Sequence, residues 1–360
     1  MKKIIVMIPA YNEEKTISKI IKDIPKQINN HFVEVLVIND CSTDNTVEVS
    51  KEAGADYIID NKNNQGLGVN FRKGIEGALK LDADIIVNID GDGQFNPKDI
   101  EKLIIPIIRG EADMVTASRF IRPEMTKDMP LIKKIGNKGF TILISKITGE
   151  KFSDTQCGFR AYSREAALRL NLYGKFTYTQ EVFIDLISKG MKIKEVPVEV
   201  TYNEKRKSFV SGNLRRYGFR SLAIIARSSR DAQPFAFFGL PALALFSIGG
   251  IGTLISLIYW LAYHVTTPIK TLLNISIFLV GVGVALGILA LLADMLNTLK
   301  RNEEQIIYML KKQNYNGHRD RDSRDTNGIL SEIIDNRQIG QKELENIKSP
   351  YLRNKFIKEK

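Results

Sequence analysis

The chain is poor in several things, and each scarcity narrows its chemistry. It has two cysteines, Cys41 and Cys157, too few for a disulfide framework and in no metal-binding spacing, which fits a reducing compartment. No G-x-x-x-x-G-K-[ST] stretch occurs, so a P-loop nucleotide hydrolase is disfavoured. Charge is missing altogether from Phe235 to Tyr263 and again from Thr271 to Ala293. Each run exceeds the ~20 residues that cross a bilayer. A buried core helix is the bland alternative for one such run. Two in succession, rich in Leu, Ile, Gly and Ala and joined by a link holding His264 and Lys270, read as a transmembrane hairpin.

What is present is a basic excess, 52 Lys and Arg against 41 Asp and Glu, a formal charge of +11. Much of it flanks the apolar runs. Arg215, Arg216, Arg220, Arg227 and Arg230 precede the first, and Lys300, Arg301, Lys311 and Lys312 follow the second, whereas "HVTTPIK" between them has one lysine. The positive-inside rule then puts both large soluble parts in the cytoplasm, in an integral membrane protein with two spans. Anionic headgroups account for this charge, and no nucleic acid is called for. The opening "MKKIIVMIPAYNEE" has an apolar core too short for a signal peptide and reads as a first strand.

Up to "DMVTAS" the chain alternates apolar β-type runs with amphipathic helical patterns: "KIIVMI" and Glu13 to Pro25, "VEVLVI" and Thr43 to Ala53, "DYIID" and Gly66 to Leu79, "ADIIVNI" and Pro97 to Arg109. This predicts an α/β fold, a mostly parallel sheet with helices on both faces. A further helical pattern covers Lys127 to Gly149, another Thr179 to Lys189, and a strand is expected at "KIKEVPVEVTY". The expected division is a soluble domain over 1–210, basic interfacial helices over 211–231, the two spans within 232–297 (about 235–263 and 271–296), and a charged tail over 298–360.

In open sheets of this kind ligands bind beyond the carboxyl ends of the strands. Four such ends are polar here: "PAYNEE", "NDCSTDNT", "NQGLGVNFRKG" and "DGDGQ". Asn12 and Ser42 to Asp44 have helix capping as an alternative role. Asp40 differs, since it lies at a strand tip where its carboxylate can accept from a base or ribose. Gly66 and Gly68 would let backbone approach phosphate oxygens at a helix start. In "DGDGQ" the glycines leave room between Asp90, Asp92 and Gln94 for a hard divalent cation, which prefers oxygen ligands and completes its shell with substrate phosphates. Asp92 and Gln94 would supply oxygens, with Asp90 orienting a ribose or the ion's water shell.

In their order, "IPAYNEE", "VINDCSTDNT", "NQGLGVNFRKG" and "DGDGQFNP" resemble the nucleotide-sugar half of the family-two inverting glycosyltransferases with the GT-A fold. "ASRF", "SDTQCGFRAYSRE", "EVPVEVTY" and the following spans look like the polyprenyl-phosphate (dolichyl-phosphate) group of that family. The resemblance covers about Lys3 to Asn297 and implies transfer of a sugar from a nucleotide diphosphate to polyprenyl phosphate. It assigns Pro9, Tyr11, Glu13 and Asp40 to base and ribose, Gly68, Asp90 and Ser208 to the nucleotide sugar, and Asp92 with Gln94 to Mg2+ or Mn2+. Arg119 and Arg206 would meet the diphosphate or acceptor phosphate, and Asp154 would be a general base or an orienting group for Arg119 or Arg160. Glu181 is a second acidic candidate.

"RKSFVSGN" departs from the G-E-S-K pattern of the mannose synthases, which favours a uracil nucleotide carrying glucose or N-acetylglucosamine over GDP-mannose. A processive polysaccharide synthase would carry Q-x-x-R-W, but the single tryptophan, Trp260, lies in the first apolar run. A scaffold that binds nucleotide sugar or lipid without turnover is the alternative of another class. Helix pairing by the tail would give a homo-oligomer.

Overall fold

The computed structural model describes residues 1–126, 129, 131–172, 178–201, 226, 230, 234–265, 267–316 and 333–336. The chain divides into two compact units, Met1–Ser221 with Tyr308–Lys360, and Leu222–Ile307.

The first unit is built on a nine-stranded sheet with the order β8-β6-β7-β5-β1-β3-β4-β9 and a short β2 paired to β3. Its strands are β1 (Lys3–Ala10), β2 (Gln27–Ile28), β3 (His31–Asn39), β4 (Tyr57–Asp60), β5 (Ile85–Asn88), β6 (Met114–Ser118), β7 (Arg160–Ser163), β8 (Ile193–Pro197) and β9 (Ile333–Asp335). Its helices are α1 (Ile17–Asp23), α2 (Thr46–Glu52), α3 (Leu67–Lys80), α4 (Ile100–Ile108), α5 (Leu131–Thr148), α6 (Arg164–Arg169) and α7 (Thr179–Ser188). β1 lies at the centre, parallel to β3 on one side and β5 on the other. Ile4 to Ile8 and Val35 to Ile38 are fully buried, the pattern of strands covered on both faces. Because the chain leaves β1 first toward β3 and later returns to β5, their carboxyl ends diverge into a crevice, and ligands bind at such switch points.

The parallel strands fall where the apolar runs predict them. The unexpected one is β7, which inserts antiparallel between β5 and β6. It has only four residues, and one is an arginine. Arg160 is nonetheless fully buried. Its Nε donates to Cys157 O at 2.8 Å and its Nη2 to Thr155 O at 3.1 Å, while its guanidinium lies 4.8 Å from the Phe183 ring centroid. Hydrogen bonds and an aromatic face together compensate the burial of that charge.

The tail also differs from the division expected at residue 298. The helix α9 (Lys270–Asn316) runs unbroken through that point, and its last residues belong to the first unit. There Tyr308 donates to Glu165 at 2.9 Å, and Lys311 Nζ donates to Leu170 O at 2.9 Å and Asn171 Oδ1 at 3.1 Å. Further on, β9 pairs antiparallel with β4, and Asn336 Nδ2 donates to Lys51 O and Ala55 O. The polar composition hid this strand of three residues. Its effect is to cover what would be an open sheet edge. The interfacial helices expected over 211–231 lie outside the described residues except for positions 226 and 230.

The second unit contains α8 (Pro234–Tyr263) and the first part of α9. Both helices are long and apolar enough to cross a membrane, and only 22% and 17% of their most apolar windows is buried. Outward-facing Leu240, Leu243, Phe278 and Leu291 are each more than half exposed, which suits an apolar solvent rather than water. The two helices touch backbone to backbone at glycines. A Cβ on Gly249 would stand 2.6 Å from Ser276 O and 2.8 Å from Val280 N, and one on Gly283 would stand 2.8 Å from Phe246 N. Such main-chain contact is how helices associate in lipid. Replacing Gly249 by Val is expected to cost roughly 1–3 kcal/mol of stability, read as a lower melting temperature of the full chain in lipid nanodiscs. Gly250→Val, where a Cβ meets nothing within 4 Å, is expected to leave the melting temperature unchanged.

Candidate active site

The loops after β1 and β3 are interlocked. Asn12 takes a left-handed conformation, φ 56°, which turns its backbone N–H toward Ser42 Oγ at 2.9 Å, while its own Oδ1 accepts from Thr43 N at 2.8 Å. Glu13 N donates to Thr46 Oγ1, and Glu14 N to Asp44 Oδ2. Asp44 also accepts from both the backbone and the hydroxyl of Thr46. Burial works to raise the Asp44 pKa, but these hydrogen bonds outweigh it and hold the carboxyl below its usual range. Ser42, Asp44 and Thr46 are thus occupied in joining one loop to the next. Pro9 is the penultimate residue of β1, opposite Ile38, and Tyr11 and Glu13 follow on the loop, both half-buried.

Asp40 is buried at the tip of β3, and its oxygens accept from Gln65 N at 2.7 Å and Gly66 N at 3.0 Å. It therefore holds the β4–α3 loop in place. Gly66 caps α3 with φ 85°, a conformation that favours glycine. Gly68 sits inside the first turn of α3, buried, rather than in the loop before it.

The turn after β5 rests directly on the end of β1. Thr16 Oγ1 donates to Gly91 O at 2.7 Å, and a Cβ on Gly91 would be 3.2 Å from Pro9 O. Asp92 Oδ1 accepts from Gln94 N at 3.1 Å, and Gln94 O accepts from Thr201 N at 3.0 Å. Asp90 accepts no hydrogen bond among the described residues. Burial pushes its carboxyl up to about 7, the negative charges of Asp92 and Glu13 add to the rise, and the positive charges of Arg160 and Arg119 oppose it. The described residues contain no group of three or more His, Cys, Asp or Glu positioned to share a metal. Two crowded carboxylates, one of them accepting no hydrogen bond from the described residues, nevertheless fit a divalent cation whose remaining ligands are an amide oxygen, water and phosphate.

Arg119 follows β6 and is clasped by Asp154, with Nε to Oδ2 at 2.6 Å and Nη2 to Oδ1 at 3.0 Å. Asp154 is fully buried and also accepts from Asn137 Nδ2 at 2.9 Å and Gln156 N at 3.1 Å. Burial alone would raise its pKa, but the Arg119 charge and these hydrogen bonds prevail and hold it below the carboxylate range. Glu195 of β8 supports the same loop, accepting from the backbone N–H of Ser153 and Asp154. Arg160 bonds to backbone carbonyls rather than to Asp154. Burial pushes the Cys157 thiol up to about 12, so it is no nucleophile. Glu181 lies in the first turn of α7. Arg206 and Ser208 lie outside the described residues.

The family model described as glycosyl transferase family 2 matches residues 5–170. The chain is 34% identical over 222 residues to the UDP-N-acetylglucosamine–dolichyl-phosphate N-acetylglucosaminyltransferase of Methanococcus voltae, a match covering 56% of this chain and 87% of that one. The chain belongs to glycosyl transferase family 2. A longer match, 26% over 310 residues, covers 85% of this glycosyltransferase and 97% of glycosyltransferase AglJ of Haloferax volcanii. Among solved structures, glucosyl-3-phosphoglycerate synthase of Mycobacterium tuberculosis in complex with Mn2+, UDP and phosphoglyceric acid aligns with a TM-score of 0.51 at 20% identity, over 63% of this chain and 78% of that one. The shared fold is GT-A.

The candidate site has neighbours that the sequence did not single out. Asn137 and Glu195 bind the Asp154 loop from far along the chain, and Gly158 stands against Asp90. A Cβ at Gly158 would lie 2.8 Å from Asp90 Oδ2 and 3.1 Å from Oδ1. Gly158→Ala is expected to displace that carboxylate and cut kcat about tenfold or more, with little change in melting temperature. Asp154 also makes a pH prediction. Its folded pKa is depressed, so the unfolded chain binds more protons at acid pH. The stabilisation is complete above the unfolded value, ~3.9, and is lost as pH falls through the folded pKa. The gap in melting temperature between wild type and Asp154→Asn should therefore narrow as pH drops below that value.

Proposed function

We propose that this family-2 glycosyltransferase moves a sugar from a nucleoside diphosphate to the phosphate of a membrane polyprenol, with inversion. The observation that carries the reading is the Arg119–Asp154 clasp beside the Asp90–Asp92 pair: a cation fixed in one orientation next to carboxylates suited to a divalent ion. Two anions must meet in this reaction, and fixed positive charge is what lowers their repulsion. The name of the Methanococcus voltae relative supports a lipid-phosphate acceptor.

In this reading Pro9, Tyr11, Glu13 and Asp40 hold base and ribose, and Gly68 lies in the helix turn that faces phosphate. Asp92 and Gln94, with Asp90 beside them, hold Mg2+ or Mn2+. When bound, that ion neutralises charge on the departing diphosphate. Arg119 holds a phosphate in line, and Arg206 and Ser208 are assigned to phosphate contacts by resemblance alone. An acceptor phosphate oxygen bonds to the anomeric carbon as the bond from that carbon to the diphosphate breaks, its electron pair leaving with the nucleoside diphosphate. A phosphate monoester has a second pKa near ~6, so the acceptor arrives largely as the dianion and needs no base. Asp154, acidic and with both oxygens occupied, positions Arg119 instead of taking a proton.

The favoured donors are UDP-N-acetylglucosamine and UDP-glucose, from the "RKSFVSGN" segment and the relative's name; GDP-mannose is the alternative. The spans α8 and α9 cross the bilayer, and flanking charge keeps the transferase domain and the tail in the cytoplasm.

The test incubates the full chain in membranes with polyprenyl phosphate and labelled UDP-N-acetylglucosamine, UDP-glucose or GDP-mannose, then extracts the lipid. Label is expected in lipid from a uridine donor, abolished by EDTA and restored by Mg2+ or Mn2+, with Arg119→Ala about a hundredfold slower. No lipid label from any donor overturns the acceptor. Label from GDP-mannose alone overturns the uridine assignment, and unchanged transfer by Asp92→Ala overturns the metal site.

A further inference from the structure

Asp90 accepts no hydrogen bond from the described residues, so packing rather than a donor sets where its carboxylate points. The contact that sets it is Gly158, buried, where a Cβ would stand 2.8 Å from Oδ2, 3.1 Å from Oδ1 and 3.3 Å from Cγ. Gly158 belongs to the segment between Asp154 and β7, whose carbonyls are gripped one after another. Arg160 takes Thr155 O and Cys157 O. Gly158 O is taken from β5, by Asn88 Nδ2 at 2.8 Å.

Asparagine is a poor choice for the place that Asn88 holds. It closes β5 after Ile85, Ile86 and Val87, all fully buried, and is fully buried itself. An amide there costs stability unless its N–H groups are bonded. Both are, the second donating to the Tyr178 hydroxyl at 2.9 Å, whereas Oδ1 has no partner among the described residues. The amide therefore serves as a double donor. Gly158 O can only accept, which fixes the end of the amide that faces it. Tyr178 meets the other hydrogen from a fixed position, since it is buried and its ring lies parallel to that of Phe71 in α3, with centroids 3.8 Å apart.

We propose that Asn88 is a positioning residue for Asp90, holding Gly158 against the carboxylate, and that Tyr178 orients Asn88 for that task. This role deepens the reading of a divalent-ion site after β5 and rests on it. Asn88 stands two residues before Asp90, yet it acts by way of a loop 70 residues further along the chain. Without that hold Gly158 can draw back and the carboxylate gains rotamers. An ion shared with Asp92 must then order it on binding. Contacts that support metal-ligating groups in this way are worth about 10–100-fold in metal affinity or activity.

The test is titration calorimetry of Mn2+ into the full chain in nanodiscs, with UDP and separately with GDP, alongside kcat and KM from lipid labelling. Asn88→Leu keeps the volume and removes the donor. It is expected to weaken Mn2+ binding about tenfold or more and to lower kcat, leaving the KM for polyprenyl phosphate unchanged. Tyr178→Phe keeps the ring on Phe71 and is expected to give a smaller loss of the same two quantities, so it decides the matter should Asn88→Leu fail to fold. Ile86→Val, a packing change on the same strand, should lower the melting temperature and leave Mn2+ binding as it was. Asn88→Leu and Gly158→Ala act on one contact, so their double variant should lose less than the product of the two single losses. Unchanged Mn2+ affinity in either Asn88→Leu or Tyr178→Phe overturns the proposal, as does a double variant whose loss equals that product. A wild type that binds no Mn2+ with either nucleotide overturns the metal reading itself, so the two failures are told apart by the first titration.

Discussion

Charge balance at the carboxyl end of β5 is the constraint from which the rest of the site follows. Asp90, Asp92 and Glu13 bring negative charge into a partly buried crevice where it is poorly screened. The Asp90 carboxyl is raised to about 7 by burial and by those neighbours, and no donor among the described residues relieves it. Arg160, buried in β7, and Arg119 each answer part of that charge. Both cations are committed in turn. Arg160 is bound to Thr155 O and Cys157 O, and Arg119 to Asp154. The remaining negative charge suits a divalent ion and the diphosphate that arrives with it.

The fold serves that arrangement by joining loops far apart in sequence. The β1 loop is tied to the β3 loop through Asn12, Glu13 and Glu14, and to the β5 turn through Thr16 and Gly91. Asp40 ties β3 to the start of α3. Phe95 bridges to Val200, which carries the chain from β8 past the β5 turn. Positioning of this kind is where the proposed transfer gains most, because its phosphate nucleophile is already anionic and little covalent work is left to the protein.

Much of this was legible in the sequence, for identifiable reasons. β1, β3, β4, β5 and β6 are continuous apolar runs closed by polar turns, and their order places "DGDGQ" beside "PAYNEE". β7 was not legible, since a four-residue strand centred on a buried arginine carries no apolar run. β9 is three residues in a polar tail, and only its pairing with β4 makes it a strand. Within the site, Arg119 and Asp154 stand in recognisable motifs. Glu195 and Asn137 do not, because their roles arise from contacts 42 and 17 residues distant. Gly158 depends on a clearance that only coordinates reveal. Asp44 accepts from the first N–H of α2, and Asp44 and Thr46 both accept from the β1 loop and so tie it to the β3 loop.

The central claim is that the carboxylates after β5 and a nucleoside diphosphate share one divalent cation. The most direct measurement is electron paramagnetic resonance of Mn2+ titrated into the full chain in nanodiscs, with and without UDP. The account predicts one tightly bound Mn2+ per chain that appears or strengthens with UDP and is lost in Asp92→Ala. Binding of Mn2+ with UDP that is indifferent to Asp92→Ala, or no UDP-linked binding in the wild type, would contradict it.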